Sequence, residues 1–171
     1  MSNYSKIKTF DIANGKGIRT SIFFSGCEHC CKNCFNSELW DFNVGGQFTK
    51  EIYESKIKPT MNTHIAGISI LGGEPMHSNN LQSVACLIKW FKEDFPNKNV
   101  WLWSGYTWEE LMNKSNKNYE TNLEVMKYID VLVDGRYVDE LRDLTLKFRG
   151  SSNQRVIDIQ ETIKQGEIIT I

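Results

Sequence analysis

The chain has 171 residues, 40% hydrophobic and 12% aromatic, and its 20 Lys and Arg against 21 Asp and Glu leave a formal net charge of −1. That composition excludes an intrinsically disordered chain, and the balanced charge, with no basic run, excludes the concentrated positive field of a phosphate-neutralising nucleic-acid binder. One domain over residues 1–171 is expected, burying roughly 70% of its unfolded surface; with no apolar signal region in MSNYSKIK and no stretch near the ~18 apolar residues of a membrane span, the protein reads as soluble and cytoplasmic.

A short first strand is expected around residues 6–12, followed by a turn at Asn14-Gly15-Lys16-Gly17, since Asn-Gly readily supplies positive φ. Residues 18–25, IRTSIFFS, are rich in β-branched and aromatic side chains and predict a buried strand. Thr49 is placed to cap a helix that stops before Pro59, and residues 65–71 predict a second apolar strand running into Gly72-Gly73-Glu74-Pro75. Ser78, Asn79 and Asn80 are N-cap candidates for a helix on which Leu81, Val84, Ala85, Ile88, Phe91 and Phe95 recur at helical spacing, ended by Pro96. Residues 100–103 predict a strand closed by Ser104-Gly105, and Thr107 caps a short helix through Met112. The stretch with Asn113, Asn116, Asn118 and Asn122 reads as a loop, residues 128–133 as a strand ending in Asp134-Gly135, and residues 155–159 and 168–171 have strand character.

Strands separated by helices predict βαβ units, an α/β fold and a mostly parallel sheet, because a parallel pair needs a long crossover. Ligands in such folds bind at the C-terminal ends of the strands. CEHCCKNC, GGEP, SGY and DG all follow predicted strands, so they are expected to converge on one face.

Four of the five cysteines, Cys27, Cys30, Cys31 and Cys34, fall within eight residues, which is no disulfide framework and points to a metal site. Structural zinc takes two short cysteine pairs separated by a dozen or more residues, and the C-x2-C-x2-C ferredoxin run is broken by Asn33. Cys27-x3-Cys31-x2-Cys34 instead offers three thiolates, with Cys30 an uncoordinated neighbour and Cys86 an inert thiol. A 4Fe-4S cube held by three cysteines keeps one iron open to a non-protein ligand.

NGKGIR, GCEHCCKNCFN with Trp40, GGEP, WSGY, IDVLVDGR and GSSNQR together resemble the activating proteins of anaerobic (class III) ribonucleotide reductase, which are radical S-adenosylmethionine enzymes. The resemblance spans residues 10–158 and departs from the pattern at Lys16, where a proline is expected, and at the extra Cys30. It implies a partial (β/α) barrel of the radical S-adenosylmethionine type with its cluster loop at residues 26–36. The implied cofactors are a 4Fe-4S cluster on Cys27, Cys31 and Cys34, and S-adenosylmethionine bound by Asn33, Cys34, Phe35, Gly72, Gly73, Glu74 and Ser104. Within that set Glu74 accepts from the cofactor's amino group, Ser104 meets its ribose, Phe35 packs beside it, and the glycines let the backbone approach it. Reductive cleavage of the cofactor would generate a glycyl radical on the large subunit of the reductase, with a low-potential donor such as a flavodoxin supplying the electron. The alternatives are an activase of another glycyl radical enzyme, a small-molecule radical enzyme, an iron–sulfur electron carrier and a zinc-binding module. Trp101, Trp103, Tyr106 and Trp108 read as core and strand-end packing, His64 and His77 as solvated, and His29 as either exposed or a donor behind the metal ligands; Asp134, Arg149 and Arg155 carry no assigned role.

Overall fold

The computed structural model describes residues 2–171. Seven strands form one sheet in the order β3-β1-β2-β4-β5-β6-β7, namely β1 (Asn3–Asp11), β2 (Ile18–Phe24), β3 (Gly46–Gln47), β4 (Ile65–Gly72), β5 (Asn99–Trp103), β6 (Val131–Asp134) and β7 (Arg155–Asp158). The central four, β2, β4, β5 and β6, are parallel. β1 pairs antiparallel with both β2 and β3, and β7 is antiparallel to β6. The sheet is therefore mixed: the Asn14-Gly15 hairpin and the loop of residues 135–154 after β6 each reverse the chain without an α-helical crossover. It ends in two edges, β3 and β7, with no pairing between them. Among the described residues no helix is long and apolar enough to cross a membrane.

Period-2 alternation gives the sheet two buried faces. Ile22, Phe24, Ile68, Ile70, Val100, Leu102, Leu132 and Ile157 point to the helices, joining Leu81, Val84, Leu87, Ile88 and Phe91 of α2 (Ser78–Asp94) in the main core. Phe23 and Leu71, Trp101 and Trp103, and Val131, Val133 and Val156 lie in two smaller clusters on the other face. Below them Arg19 is fully buried, donating to Ser69 Oγ, Asn99 Oδ1 and the Ile68 carbonyl. Burial lowers its pKa to about 10, which leaves it charged at neutral pH.

The remaining helices are α1 (Lys50–Ile52), α3 (Trp108–Leu111), α4 (Tyr119–Tyr128) and α5 (Ile159–Gln165). Thr49 and Thr107 cap α1 and α3 as their sequences imply, Thr107 in a capping box with Glu110. Four expectations are corrected. The chain runs on from α1 through a π turn, Tyr53–Ile57, and a 3-10 turn, Lys58–Thr60, because Pro59 lies in the first turn of the latter, where no amide donor is needed. The cap of α2 is His77, whose Nδ1 accepts from the Asn79 amide, and not Ser78, Asn79 or Asn80. The asparagine-rich stretch contains α4, so Tyr128 ends a helix and the strand begins at Val131. Residues 159–165 form α5, and the C-terminal strand shrinks to one bridge, Ile157 to Thr170.

The buried carboxylate of Asp11 pins the first hairpin by accepting from Ser21 Oγ at 2.6 Å, Asn14 Nδ2 at 2.6 Å, Lys8 Nζ at 2.9 Å and the Ala13 amide at 3.0 Å. Burial favours its neutral form, but these donors outweigh it and hold the pKa down to about 2. A carboxylate whose folded pKa lies below its unfolded value stabilises above that value, near 4, and loses the contribution as pH falls toward 2. Asp11→Asn is expected to cost about 2 kcal/mol at pH 7 and progressively less below pH 4. Urea midpoints of the two proteins at pH 7 and pH 2.5 check this, and an equal gap at both pH values would count against it.

Candidate metal centre

The parallel strands β2, β4, β5 and β6 deliver their following loops to one end of the sheet. There a single cavity is lined by Cys27, Cys31 and Cys34 from the loop after β2, Gly72, Gly73 and Glu74 after β4, Ser104 and Gly105 after β5, and Gly135 after β6. Leu71 and Trp103 form its floor, and Trp40 is in its wall. Four signatures far apart in sequence therefore meet, as the strand-end argument requires.

Cys27, Cys31 and Cys34 are half-buried, whereas Cys30 is exposed, has a left-handed φ of 50° and does not line the cavity. Burial pushes the Cys27 thiol up to about 11, opposed by the nearby His29 backbone amide and reinforced by the Glu74 charge. Cys31 is also raised, by burial first and then by Cys34, while the Tyr137 amide and Arg136 favour its thiolate. Unliganded, these are neutral thiols; a bound cation reverses that preference. No three His, Cys, Asp or Glu side chains among the described residues stand close enough to hold one metal ion. A tetrahedral zinc, with Zn–S near 2.3 Å, requires such convergence. The indole N–H of Trp40 is buried without a partner among the described residues.

Glu74, 1% exposed, is the hub of the opposite wall. Its Oε1 accepts from the Met76 amide at 2.8 Å and Ser104 Oγ at 2.8 Å, and its Oε2 accepts from the Gly105 amide at 2.7 Å and faces His29 Nε2 at 2.8 Å. A carboxylate offers about four acceptor positions, so all are engaged. Ser104 Oγ also accepts from the Tyr106 amide, which ties the serine to its own turn. The two glycines have a structural cause: a Cβ on Gly72 would lie 2.3 Å from the Phe24 carbonyl oxygen, and one on Gly73 2.5 Å from that of Gly26. Their missing side chains thus admit the backbone leaving β2.

Two residues of the expected cofactor set lie elsewhere. Phe35 is 96% exposed, because the chain turns outward after Cys34, and it does not line the cavity. Asn33, with φ of 56°, donates from Nδ2 to Asp139 on the far side of the loop. Conversely, sequence reading missed His77 and Asn80. Buried Asn80 donates to the carbonyls of Ser25 and Glu74, binding the end of β2 to the GGEP turn. His77, far from solvated, faces Glu28 at 3.2 Å and packs with its ring tilted against Phe42. Asp134 caps α3 through the Trp108 amide and pairs with Arg155, which reaches on to Glu109. No local pattern marks these contacts.

A family model described as a 4Fe-4S single cluster domain matches residues 13–157. The chain is 40% identical over 154 residues to an anaerobic ribonucleoside-triphosphate reductase-activating protein of Vibrio cholerae, covering 89% of this chain and 95% of that protein. It is 38% identical to the protein of that name from Escherichia coli K12, over 90% of this chain and 97% of the relative. With the one from Enterobacteria phage T4 it shares 35% identity over 90% and 92% of the two chains.

Proposed function

Because this chain belongs to the family of the anaerobic ribonucleoside-triphosphate reductase-activating proteins and has its 4Fe-4S domain, we propose that it generates a glycyl radical on the large subunit of that reductase by reductive cleavage of S-adenosylmethionine. The observation that carries this reading is the meeting of the three spaced cysteines with the GGEP and Ser104-Gly105 turns in one cavity. The site fits the group: three thiols without a fourth leave one iron of a cube open, and an acceptor on the occupant gives the buried Trp40 N–H the partner it lacks. When bound, the cluster and S-adenosylmethionine supply one-electron cleavage of the sulfonium to methionine and a deoxyadenosyl group that takes a hydrogen from a glycine.

The chain's own residues hold and shape. Cys27, Cys31 and Cys34 bind the cluster, giving up their protons as they do so. Gly72, Gly73, Glu74 and Ser104 form the wall beside it, where Glu74, its four acceptor positions already taken, offers a cationic amino group its negative charge, and Leu71 and Trp103 add apolar lining. The parallel strands β2, β4, β5 and β6 form the wall of the partial (β/α) barrel in this reading, a low-potential donor such as a flavodoxin supplies the electron, and the compartment is the cytoplasm. Asn33 and Phe35 have no place in the cofactor wall as built.

Mixed without oxygen with the large reductase subunit, a strong reductant and S-adenosylmethionine, the cluster-loaded protein is expected to release methionine and 5′-deoxyadenosine while an organic radical signal appears on the reductase. Replacing the acceptor glycine of the reductase by alanine should abolish the stable radical. Cofactor cleavage at one slow rate with and without the reductase, and no radical, would exclude the activase role. A cluster of unaltered spectrum on adding S-adenosylmethionine would point to an electron carrier.

A further inference from the structure

His29 lies inside the cysteine loop, two residues after Cys27 and two before Cys31, and its side chain is 8% exposed. Its ring reaches across the cavity mouth to Glu74 Oε2 at 2.8 Å and packs edge-on against Tyr106, with ring centroids 4.6 Å apart. A Cβ on Gly105 would stand 2.4 Å from His29 Cδ2, so the SGY turn is shaped to receive this ring. Of the four donors to Glu74, two are amides of the turns after β4 and β5 and one is the buried Ser104 hydroxyl. Only the His29 donor comes from the cysteine loop.

The cysteine loop itself has little regular structure. Lys32 to Glu140 and Asn33 to Asp139 tie it at the exposed rim, where ion pairs and hydrogen bonds compete with water and contribute little; Glu28 faces His77, Asn36 donates to the Gly72 carbonyl and the Glu74 amide donates to the Gly26 carbonyl, but none of these reaches the Glu74 carboxylate. From these contacts we infer that His29 is a positioning residue: one side chain joins the Cys27 end of the metal loop to the carboxylate of the cofactor wall and sets the distance between the two. The inference rests on the proposed reading of the site, in which the loop binds the cluster and Glu74 borders S-adenosylmethionine. It adds that the Gly105 position is part of the device, since any side chain there displaces the ring.

The test uses reconstituted full-length protein and titrates S-adenosylmethionine, following the electron paramagnetic resonance signal of the reduced cluster. His29→Ala is expected to keep its iron and sulfide content but to bind S-adenosylmethionine at least tenfold more weakly and to give a broadened signal in the bound state. His29→Gln, which restores a side-chain N–H donor, should recover most of the affinity. Gly105→Ala, which keeps His29 but displaces its ring, should reproduce the His29→Ala phenotype, so the inference stays testable if His29→Ala folds poorly. Wild-type affinity and spectrum in both His29→Ala and Gly105→Ala would overturn it, as would a His29→Gln protein no better than His29→Ala. If the wild-type cluster itself ignores S-adenosylmethionine, the proposed function is what fails.

Discussion

Replacing Cys27, Cys31 or Cys34 by alanine is expected to leave a folded protein that retains almost no iron after anaerobic reconstitution, whereas Cys30→Ala and Cys86→Ala come out brown and reducible. The three thiols line one cavity and Cys30 points away from it. With three protein ligands in all, losing one leaves two irons of a cube without protein support. Bound iron should fall at least about tenfold, equivalent to ~1.4 kcal/mol or more in cluster affinity. The fold should survive, because none of these side chains is in the hydrophobic core. Iron and sulfide analysis with circular dichroism on the same samples checks both halves. A colourless Cys30→Ala beside a brown Cys31→Ala would reverse the ligand assignment.

Glu74→Ala is expected to destabilise the protein itself, before any effect on a cofactor is measured. Four donors converge on this carboxylate, and its removal leaves buried Ser104 and the Met76 and Gly105 amides short of a partner. Each stranded buried group costs about 1–3 kcal/mol, and breaking a buried charged contact typically costs ~3–5 kcal/mol in total. For a chain of this size that lowers the melting temperature by about 10 °C. Glu74→Gln keeps the volume and one oxygen but turns an NH2 group toward two of the donors, so it should recover about half of the loss. Apoprotein melting curves decide the matter: a Glu74→Ala protein melting within about 2 °C of wild type would mean that the four contacts carry no net stability.

What the sequence made legible was local. Three cysteines in eight residues, a GGEP turn after an apolar run and Thr107 ahead of a short helix are each complete within one short stretch, and the structure places the cysteines and the GGEP turn at strand ends and Thr107 at the cap of α3. What it hid is the pairing of distant residues. His29 and Glu74 are 45 positions apart, Asn80 and Ser25 are 55 apart, and nothing in either member of a pair names the other. α4 escaped detection because its buried side is only Asn122, Val125 and Met126. Asn122 belongs to that side by donating to the Leu111 carbonyl, so a residue that looks like a loop former is in fact bonded inward. His77 shows the same limit, since an imidazole took the capping role that the adjacent Ser78 and Asn79 seemed better suited to fill.

On the proposed function, the two free margins of the sheet, at β3 and β7, bear on how a peptide substrate reaches the cavity. A closed ring of strands admits material only along its axis, so anything deep inside must be small or have a loose end to feed through. A glycine in the middle of a folded polypeptide has neither property, because both flanking segments remain fastened to the body they come from. An open-sided wall removes that topological restriction: a bight of chain can be laid in from the side and lifted out again without its ends being released. The antiparallel strands at the two margins, β3 on β1 and β7 on β6, therefore leave open sides that a complete cylinder would have closed.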